Sequence, residues 1–168
     1  MKGLVANCVM LFEHRMKNLL IVSHSPSENA LALTRAVEHG ARHEEISDVS
    51  VRVTAPLECG PEDVLWANAI ILGTTENFGY MSGAMKDFFD RIYYPCLEQT
   101  QGLPYALFVK AGLDGQGAKS SVERIVTGLK WKQVQETLVC TGTFRSEFLE
   151  QGQELGMTIS AGLESGIF

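Results

Sequence analysis

The apolar run Ala69-Ile70-Ile71-Leu72 leads directly into Gly73-Thr74-Thr75-Glu76-Asn77-Phe78-Gly79-Tyr80-Met81-Ser82-Gly83. Apolar residues at helical spacing follow, so the pattern predicts a buried strand, a long loop and a helix. The loop contains glycines, hydroxyls, an amide and two aromatic rings. This mixture suits a backbone that closely approaches a flat polar ligand. Its length exceeds the usual two to six residues, which favours a functional loop.

The same order of apolar run and unusual loop occurs twice more. Residues 19–22 precede the loop 23–30, and residues 105–109 precede the glycine-rich loop 111–117. Residues 49–53 alternate with period two, which is typical of a strand near a sheet edge, and residues 134–141 supply a fifth strand. Helices are predicted over residues 25–40, 61–66, 82–97, 118–129 and 147–163.

Five strands that alternate with helices predict an α/β fold, a three-layer, doubly wound, five-stranded parallel sheet. Right-handed crossovers leave few topologies, and the strand order 2-1-3-4-5 is the natural choice. In such a sheet, ligands bind beyond the carboxyl ends of the strands. The three unusual loops, after strands one, three and four, are therefore expected to meet at one end.

Composition limits the domain count and the function classes. The 168 residues, 45% hydrophobic and 20% charged, suit one domain with a real core. We expect residues 1–15 to form an extension outside the fold and residues 16–168 to form a single domain with this α/β sheet. A net charge of -6 argues against general nucleic-acid binding.

Several further site classes are disfavoured. No run approaches a membrane span, and four dispersed cysteines predict neither a metal site nor disulfides, which is typical of a cytoplasmic protein. The residues 79–83 only resemble a nucleophile elbow, because Ser82 is displaced from its place in that motif. His24 has no evident orienting partner. No catalytic side chain is therefore predicted.

The first loop permits two interpretations of equal weight. Ser25 as cap, Pro26 at the first helical position and Glu28 as the end of a capping box predict a helix start. Hydroxyls and free amides at that start also suit a phosphate monoester. Glu28 weighs against phosphate unless its carboxylate points away.

On these residues the chain resembles the flavodoxin-like flavoproteins, which include electron-carrier flavodoxins and NAD(P)H-dependent FMN and quinone reductases. Residues 24–30 look like the flavodoxin phosphate loop. Phe78-Gly79-Tyr80-Met81-Ser82-Gly83 is similar to the F-G-x-M-S-G loop of the quinone reductases named for tryptophan-repressor binding. The likeness spans roughly residues 18–142. Glu28 and Ala30 replace the usual glycine and threonine, and Asn77 stands where related reductases often carry arginine.

The resemblance implies FMN as the cofactor and assigns its contacts. The phosphate would lie on the first loop, and the ring on the second and third. The implied cofactor-binding residues are Ser25, Ser27, Glu28, Asn29, Ala30, Thr74, Thr75, Glu76, Asn77, Phe78, Gly79, Ala111, Gly112, Gly115 and Gly117.

The resemblance leaves the activity open between three alternatives. An NAD(P)H-dependent reductase would pass electrons through FMN to a quinone or similar acceptor. A non-enzymatic electron-transfer protein would dock to redox partners. A flavin-free domain would serve assembly. Four aromatics lie in one helix: Phe88, Phe89, Tyr93 and Tyr94. Either they are core or ordinary surface residues, or some of them face a partner in a homodimer or higher homo-oligomer.

Overall fold

Strands and helices alternate along residues 16–168, the part of the chain that the computed structural model describes. The strands are β1 (Lys17–Ser23), β2 (Val49–Thr54), β3 (Ala69–Asn77), β4 (Tyr80–Met81), β5 (Pro104–Ala111), β6 (Lys132–Gln133) and β7 (Leu138–Thr141). The helices are α1 (Glu28–Ala41), α2 (Pro61–Trp66), α3 (Gly83–Cys96), α4 (Gln116–Gly128) and α5 (Glu147–Glu164). The extension predicted for residues 1–15 lies outside the described residues.

The sheet has the predicted topology. Its strands lie in the order β2-β1-β3-β5-β6, β7 also pairs with β5, and these pairings are parallel. Since β5 is the fourth long strand and β6 with β7 the fifth, the order 2-1-3-4-5 is confirmed. β2 lies at an edge, as its period-two pattern predicted.

Two apolar layers sandwich the sheet, which explains the continuous apolar runs of its central strands. Successive residues of a strand point to opposite faces. Leu20 and Val22 of β1 therefore pack with α2, α3 and α4, whereas Leu19 and Ile21 pack with α1 and α5. Of the four aromatics in α3, Phe88 and Phe89 belong to the core, Tyr93 packs against it and Tyr94 is exposed.

The fifth strand is interrupted, where a continuous strand over residues 134–141 was predicted. Tyr105 pairs with Gln133 and Phe108 pairs with Leu138. Four residues of the outer strand thus lie opposite two of β5, and the two extra residues interrupt the ladder. Such interruptions are common at sheet edges.

α1 and α5 approach each other with their backbones almost in contact. A Cβ at Gly40 would overlap the carbonyl of Gln153, and one at Gly156 would overlap the carbonyl of Val37. Gly156, which weakens α5 as an isolated helix, and Gly40 in α1 therefore let the two helices pack closely.

Candidate functional site

The three unusual loops do lie at one edge of the sheet. Ser23 at the end of β1 pairs with Gly73 of β3, which pairs with Phe108 of β5. Since these adjacent strands are parallel, the segments that follow them leave from the same edge. The prediction that the loops meet there is confirmed.

The first loop is built around a cluster of hydroxyls. Thr34, inside α1, donates its hydroxyl hydrogen to the carbonyl of Ala30 at 3.1 Å. Its oxygen lies 2.7 Å from the hydroxyl of Ser23 and 2.8 Å from that of Ser25. The three hydroxyls therefore form one hydrogen-bonded cluster, which ties Ser25 to α1.

The N-cap of α1 is Ser27, and the predicted cap at Ser25 is wrong. Ser27 has extended backbone (φ -135°, ψ 163°) and its hydroxyl accepts from the N–H of Ala30 at 3.3 Å. Because Ser25 is tied to Thr34, the helix starts two residues later, at Glu28. Ser27, Glu28 and Asn29 are exposed. The first-turn N–H groups of Glu28 and Asn29 precede any acceptor within the helix, so they are available to an anion.

The central stretch is a β-hairpin, and the long loop predicted there is wrong. β3 continues to Asn77, which pairs antiparallel with Tyr80 of β4. The connecting residues Phe78 and Gly79 have φ of 53° and 70°, the signs of a type I′ turn. A phenylalanine in this left-handed region is unusual, because its Cβ crowds the backbone. The Phe78 side chain is also fully exposed.

Three polar side chains fix the hairpin to its surroundings. The buried hydroxyl of Thr74 accepts from the N–H of Ser82 at 3.1 Å. The hydroxyl of Ser121 in α4 accepts from the N–H of Met81 at 3.1 Å. The carboxylate of Glu76 accepts from the N–H of Ala118 in the first turn of α4, also at 3.1 Å. The turn is therefore held on a rigid base.

The outer surface of the hairpin is polar up to its tip. The hydroxyl of Thr75 donates to the side-chain oxygen of Asn77 at 3.0 Å. Asn77, Phe78 and Tyr80 are exposed. Among the predicted ring contacts, Thr75, Asn77, Phe78 and Gly79 thus lie at the surface, whereas Thr74 is buried and Glu76 is turned toward α4.

In the third loop the glycines have different roles. Gly115 is the N-cap of α4 at φ 71°, where a Cβ would lie 2.5 Å from Val139. A Cβ at Gly117 would overlap the carbonyl of Gly79, so the hairpin packs directly on α4. At Gly112 a Cβ would meet open space, and the neighbouring Leu113 is 83% exposed. Only the first half of the loop presents open backbone to a ligand, and Ala111 is the buried end of β5.

A cavity of about 370 Å³ opens beside the first loop, over the ends of β1 and β2. Its lining includes Ser25, His24, Leu31 and Glu58. Burial lowers the pKa of His24 from its usual 6.5, so this imidazole is neutral at pH 7. Ser25 is the one predicted contact that lines this cavity. The cavity adjoins the first loop on the β2 side, away from the hairpin that follows β3.

The donors at this edge suit FMN. A phosphate would meet exposed hydroxyl, amide and first-turn N–H groups of α1, and Glu28 is exposed without a side-chain bond recorded in the described residues. Over the hairpin turn, a Cβ at Gly79 or Gly83 would meet open space, as at Gly112. A planar ring can therefore approach the backbone at this edge.

Thr34 and Ser121 were missed from the sequence. Both lie on inward helix faces, Thr34 one turn after Ala30 and Ser121 beside Val122. A lone hydroxyl on an otherwise apolar helix face is the signal that could have found them, since buried hydroxyls need partners.

In residues 16–168 no three His, Cys, Asp or Glu side chains are grouped to hold a metal ion. The same residues contain no helix that could cross a membrane.

The chain is similar to known flavodoxins and to a flavin oxidoreductase. A flavodoxin of Aquifex aeolicus is 29% identical over 114 residues, which are 68% of this chain and 60% of that protein. The chain thus spans less than two thirds of its length. A flavodoxin structure from the domain Archaea matches with a TM-score of 0.75 at 20% identity, covering 88% of this chain and 99% of that one. An apo NADH:FMN oxidoreductase matches with a TM-score of 0.68 at 13% identity, covering 88% and 90%.

Structural matches at identities this low show the fold alone. They confirm the predicted flavodoxin-like sheet. The family is shown by a separate match. Residues 55–144 match the model of the NADPH-dependent FMN reductases, a range that contains the whole hairpin and the third loop. The chain therefore belongs to the flavodoxin-like, FMN-binding family of NADPH-dependent FMN reductases.

Proposed function

We propose that the protein is an NAD(P)H-dependent reductase that passes electrons through FMN to a quinone or similar small acceptor. FMN, when bound, accepts a hydride from a nicotinamide and releases electrons singly or in pairs. We assign this activity to residues 16–168 acting as one domain. The family match supports the cofactor, and the geometry of the edge supports the residues.

The observation that carries the proposal is Phe78. An exposed aromatic gains nothing from burial, and its φ of 53° costs backbone energy. Both the exposure of the ring and the strained backbone occur on a hairpin whose two strands are held by hydrogen bonds to α4. Strain of this kind is common at ligand clamps. A flat aromatic ligand over the turn would repay both costs by contact with the Phe78 ring.

The binding groups divide between the loops. The phosphate would be held by Ser27, by Asn29 and by the first-turn N–H groups of α1, with Glu28 turned to solvent. Ser25 would shape this loop through Thr34. The Ala30 N–H would remain with Ser27.

The ring would lie against the hairpin and the first half of the third loop. Its neighbours would be Thr75, Asn77, Phe78 and Gly79 on one side and Gly112 on the other. In a two-residue turn the N–H groups of both central residues have no ladder partner, and the described residues show no backbone acceptor for those of Phe78 and Gly79. They are donors for a polar ring edge that gains negative charge on reduction.

The hydride step needs no side-chain acid or base at this edge. Catalysis then rests on position and on the electrostatics of fixed N–H groups. This agrees with the edge itself, where His24 is neutral and Glu76 is bound to α4.

The test has two stages. The purified protein is mixed with FMN, desalted, and examined by visible absorption. Retained flavin supports the proposal, and a protein that stays colourless refutes it. The loaded protein is then given NADH or NADPH with a quinone, and steady-state consumption is measured. Bound flavin without turnover would refute the reductase.

The second candidate is an electron-transfer protein that docks to redox partners. It is favoured by the likeness to flavodoxins and by the net charge of -6. The same turnover assay separates the two. A carrier would be reduced only when a separate reductase protein is added, whereas the proposed enzyme reacts with the nicotinamide directly.

A further inference from the structure

We propose that Glu76 is a positioning residue for the ring site, which it organises by holding the hairpin on the first turn of α4. This inference rests on the proposed function, because it concerns the same edge of the sheet. Glu76 lies in β3 and Ala118 lies 42 residues away in α4, and the carboxylate accepts from its N–H at 3.1 Å. The turn with Phe78 and Gly79 begins two residues after Glu76.

The start of α4 explains why the carboxylate lies there. Its N-cap is Gly115, which has no side chain to accept from the helix. Asp114 supplies one acceptor from within the loop, to the N–H of Gln116 at 3.0 Å. Glu76 supplies a second, from a different element. The partial positive charge of the helix start attracts a carboxylate, which adds an electrostatic contribution to the hydrogen bond.

The bond matters for the site because of what it joins. The N–H of Met81 already donates to Ser121 of α4, and Gly79 packs against Gly117. These contacts hold the second strand of the hairpin, while Glu76 holds the first. With both strands attached to α4, the turn between them has one position.

The carboxylate is also kept away from the ring site. A negative charge beside a ring that gains electrons would oppose reduction. The hydrogen bond between the Glu76 carboxylate and the start of α4 directs that charge toward α4 instead. Holding the hairpin in this way requires both the length of the Glu76 side chain and its acceptor oxygen.

Three substitutions separate reach from charge. Glu76→Gln keeps the length and one acceptor oxygen, Glu76→Asp keeps the charge but is one methylene short, and Glu76→Ala removes both. Asp114→Ala is the matched control, because it removes an acceptor from the same helix end without touching the hairpin. The first readout is hydrogen exchange of the Tyr80 and Met81 amides in cofactor-free protein, and the second is the dissociation constant for FMN by fluorescence titration.

We expect Glu76→Ala and Glu76→Asp to speed exchange of the hairpin amides and to weaken FMN binding by roughly tenfold, the scale of a lost bond to a charged acceptor. Glu76→Gln should stay within about threefold of wild type in both measurements, since a neutral acceptor retains part of the bond. Asp114→Ala should leave exchange of Tyr80 and Met81 unchanged. If Glu76→Ala does not fold, the contrast between Asp and Gln decides the outcome.

Unchanged exchange in Glu76→Asp overturns the proposal, and so does faster exchange with unchanged FMN affinity. Equal effects of Gln and Asp also overturn it, because reach would then be irrelevant. A wild-type protein that takes up no FMN refutes the proposed function before any variant is compared. The exchange measurement needs no cofactor and still decides whether Glu76 holds the hairpin.

Discussion

Replacing Phe78 with asparagine should make the protein more stable and a weaker binder of FMN. The φ of 53° places this residue in the left-handed region, which costs an ordinary L-residue about 1–2 kcal/mol. Asparagine tolerates that region well and is preferred at this position of a type I′ turn. The Phe78 ring is fully exposed, so its removal costs the free protein little. We expect a gain of about 0.5–1 kcal/mol, or about 1–4 °C in Tm.

The loss in affinity follows from the missing ring. An aromatic pair contributes about 0.5–1.5 kcal/mol beyond area burial, which corresponds to about two- to twelvefold in the dissociation constant. Stability is measured by thermal unfolding of the cofactor-free protein, and affinity by fluorescence titration with FMN. Phe78→Ala is the control, since it removes the ring but keeps a Cβ in the left-handed turn. It should bind FMN as weakly as Phe78→Asn while its stability stays within about 0.5 kcal/mol of wild type.

Two results would refute this reasoning. Lower stability of Phe78→Asn would mean that the turn holds its phenylalanine without strain. Unchanged FMN affinity in both variants would mean that the Phe78 side chain does not contact the cofactor, and the main support for the proposed function would be lost.

Three further predictions concern the neighbouring groups. Gly117→Ala should cost about 1–3 kcal/mol of stability through overpacking against the hairpin and should weaken FMN binding. Gly83→Ala is the control, because Gly83 also lies in a first helical turn but faces open space. It should be nearly neutral in unfolding experiments. Ser27→Ala should cost about 0.5–2 kcal/mol as a lost cap and reduce FMN affinity more than Ser25→Ala does, because the Ser25 hydroxyl is already hydrogen-bonded to Thr34 of α1; titration of both variants tests the order. Burial raises the pKa of Cys59 from 9.0 to about 12. The thiol therefore ionises in the unfolded protein first, and the free energy of unfolding should fall as the pH rises between these two pKa values. Urea unfolding over this pH range should show a smaller fall in the free energy of unfolding for Cys59→Ala than for wild type, and equal falls would contradict the raised pKa of Cys59.

The sheet was predictable because its signals are local and redundant. Continuous apolar runs in β1, β3 and β5 are typical of strands buried on both faces. α2 was predicted with its observed ends because proline and two acidic residues mark its start. The handedness of crossovers left few strand orders, and 2-1-3-4-5 was the natural choice among them.

The hairpin was not predicted because its turn has an atypical sequence. The usual signal is asparagine or aspartate directly before glycine. Here Phe78 occupies that position, and Asn77 stands one residue earlier. An energetically poor turn is hard to recognise from propensity, since the reason for its sequence lies outside local folding. The choice of Ser25 as cap failed for a related reason, because its partner Thr34 is nine residues away.

The close packing of α1 on α5 has a consequence for the order of folding. The two helices are separated by more than 100 residues of chain, so their contact closes one of the longest loops in the fold and should form late. Until α5 arrives, Leu33 and Val37 of α1 pack on the sheet but lack their contact with α5 and stay partly uncovered. An intermediate with exposed α1 would be prone to aggregation. Substitutions at Gly40 or Gly156 should therefore reduce the yield of folded protein more than they change the edge that we propose as the FMN site.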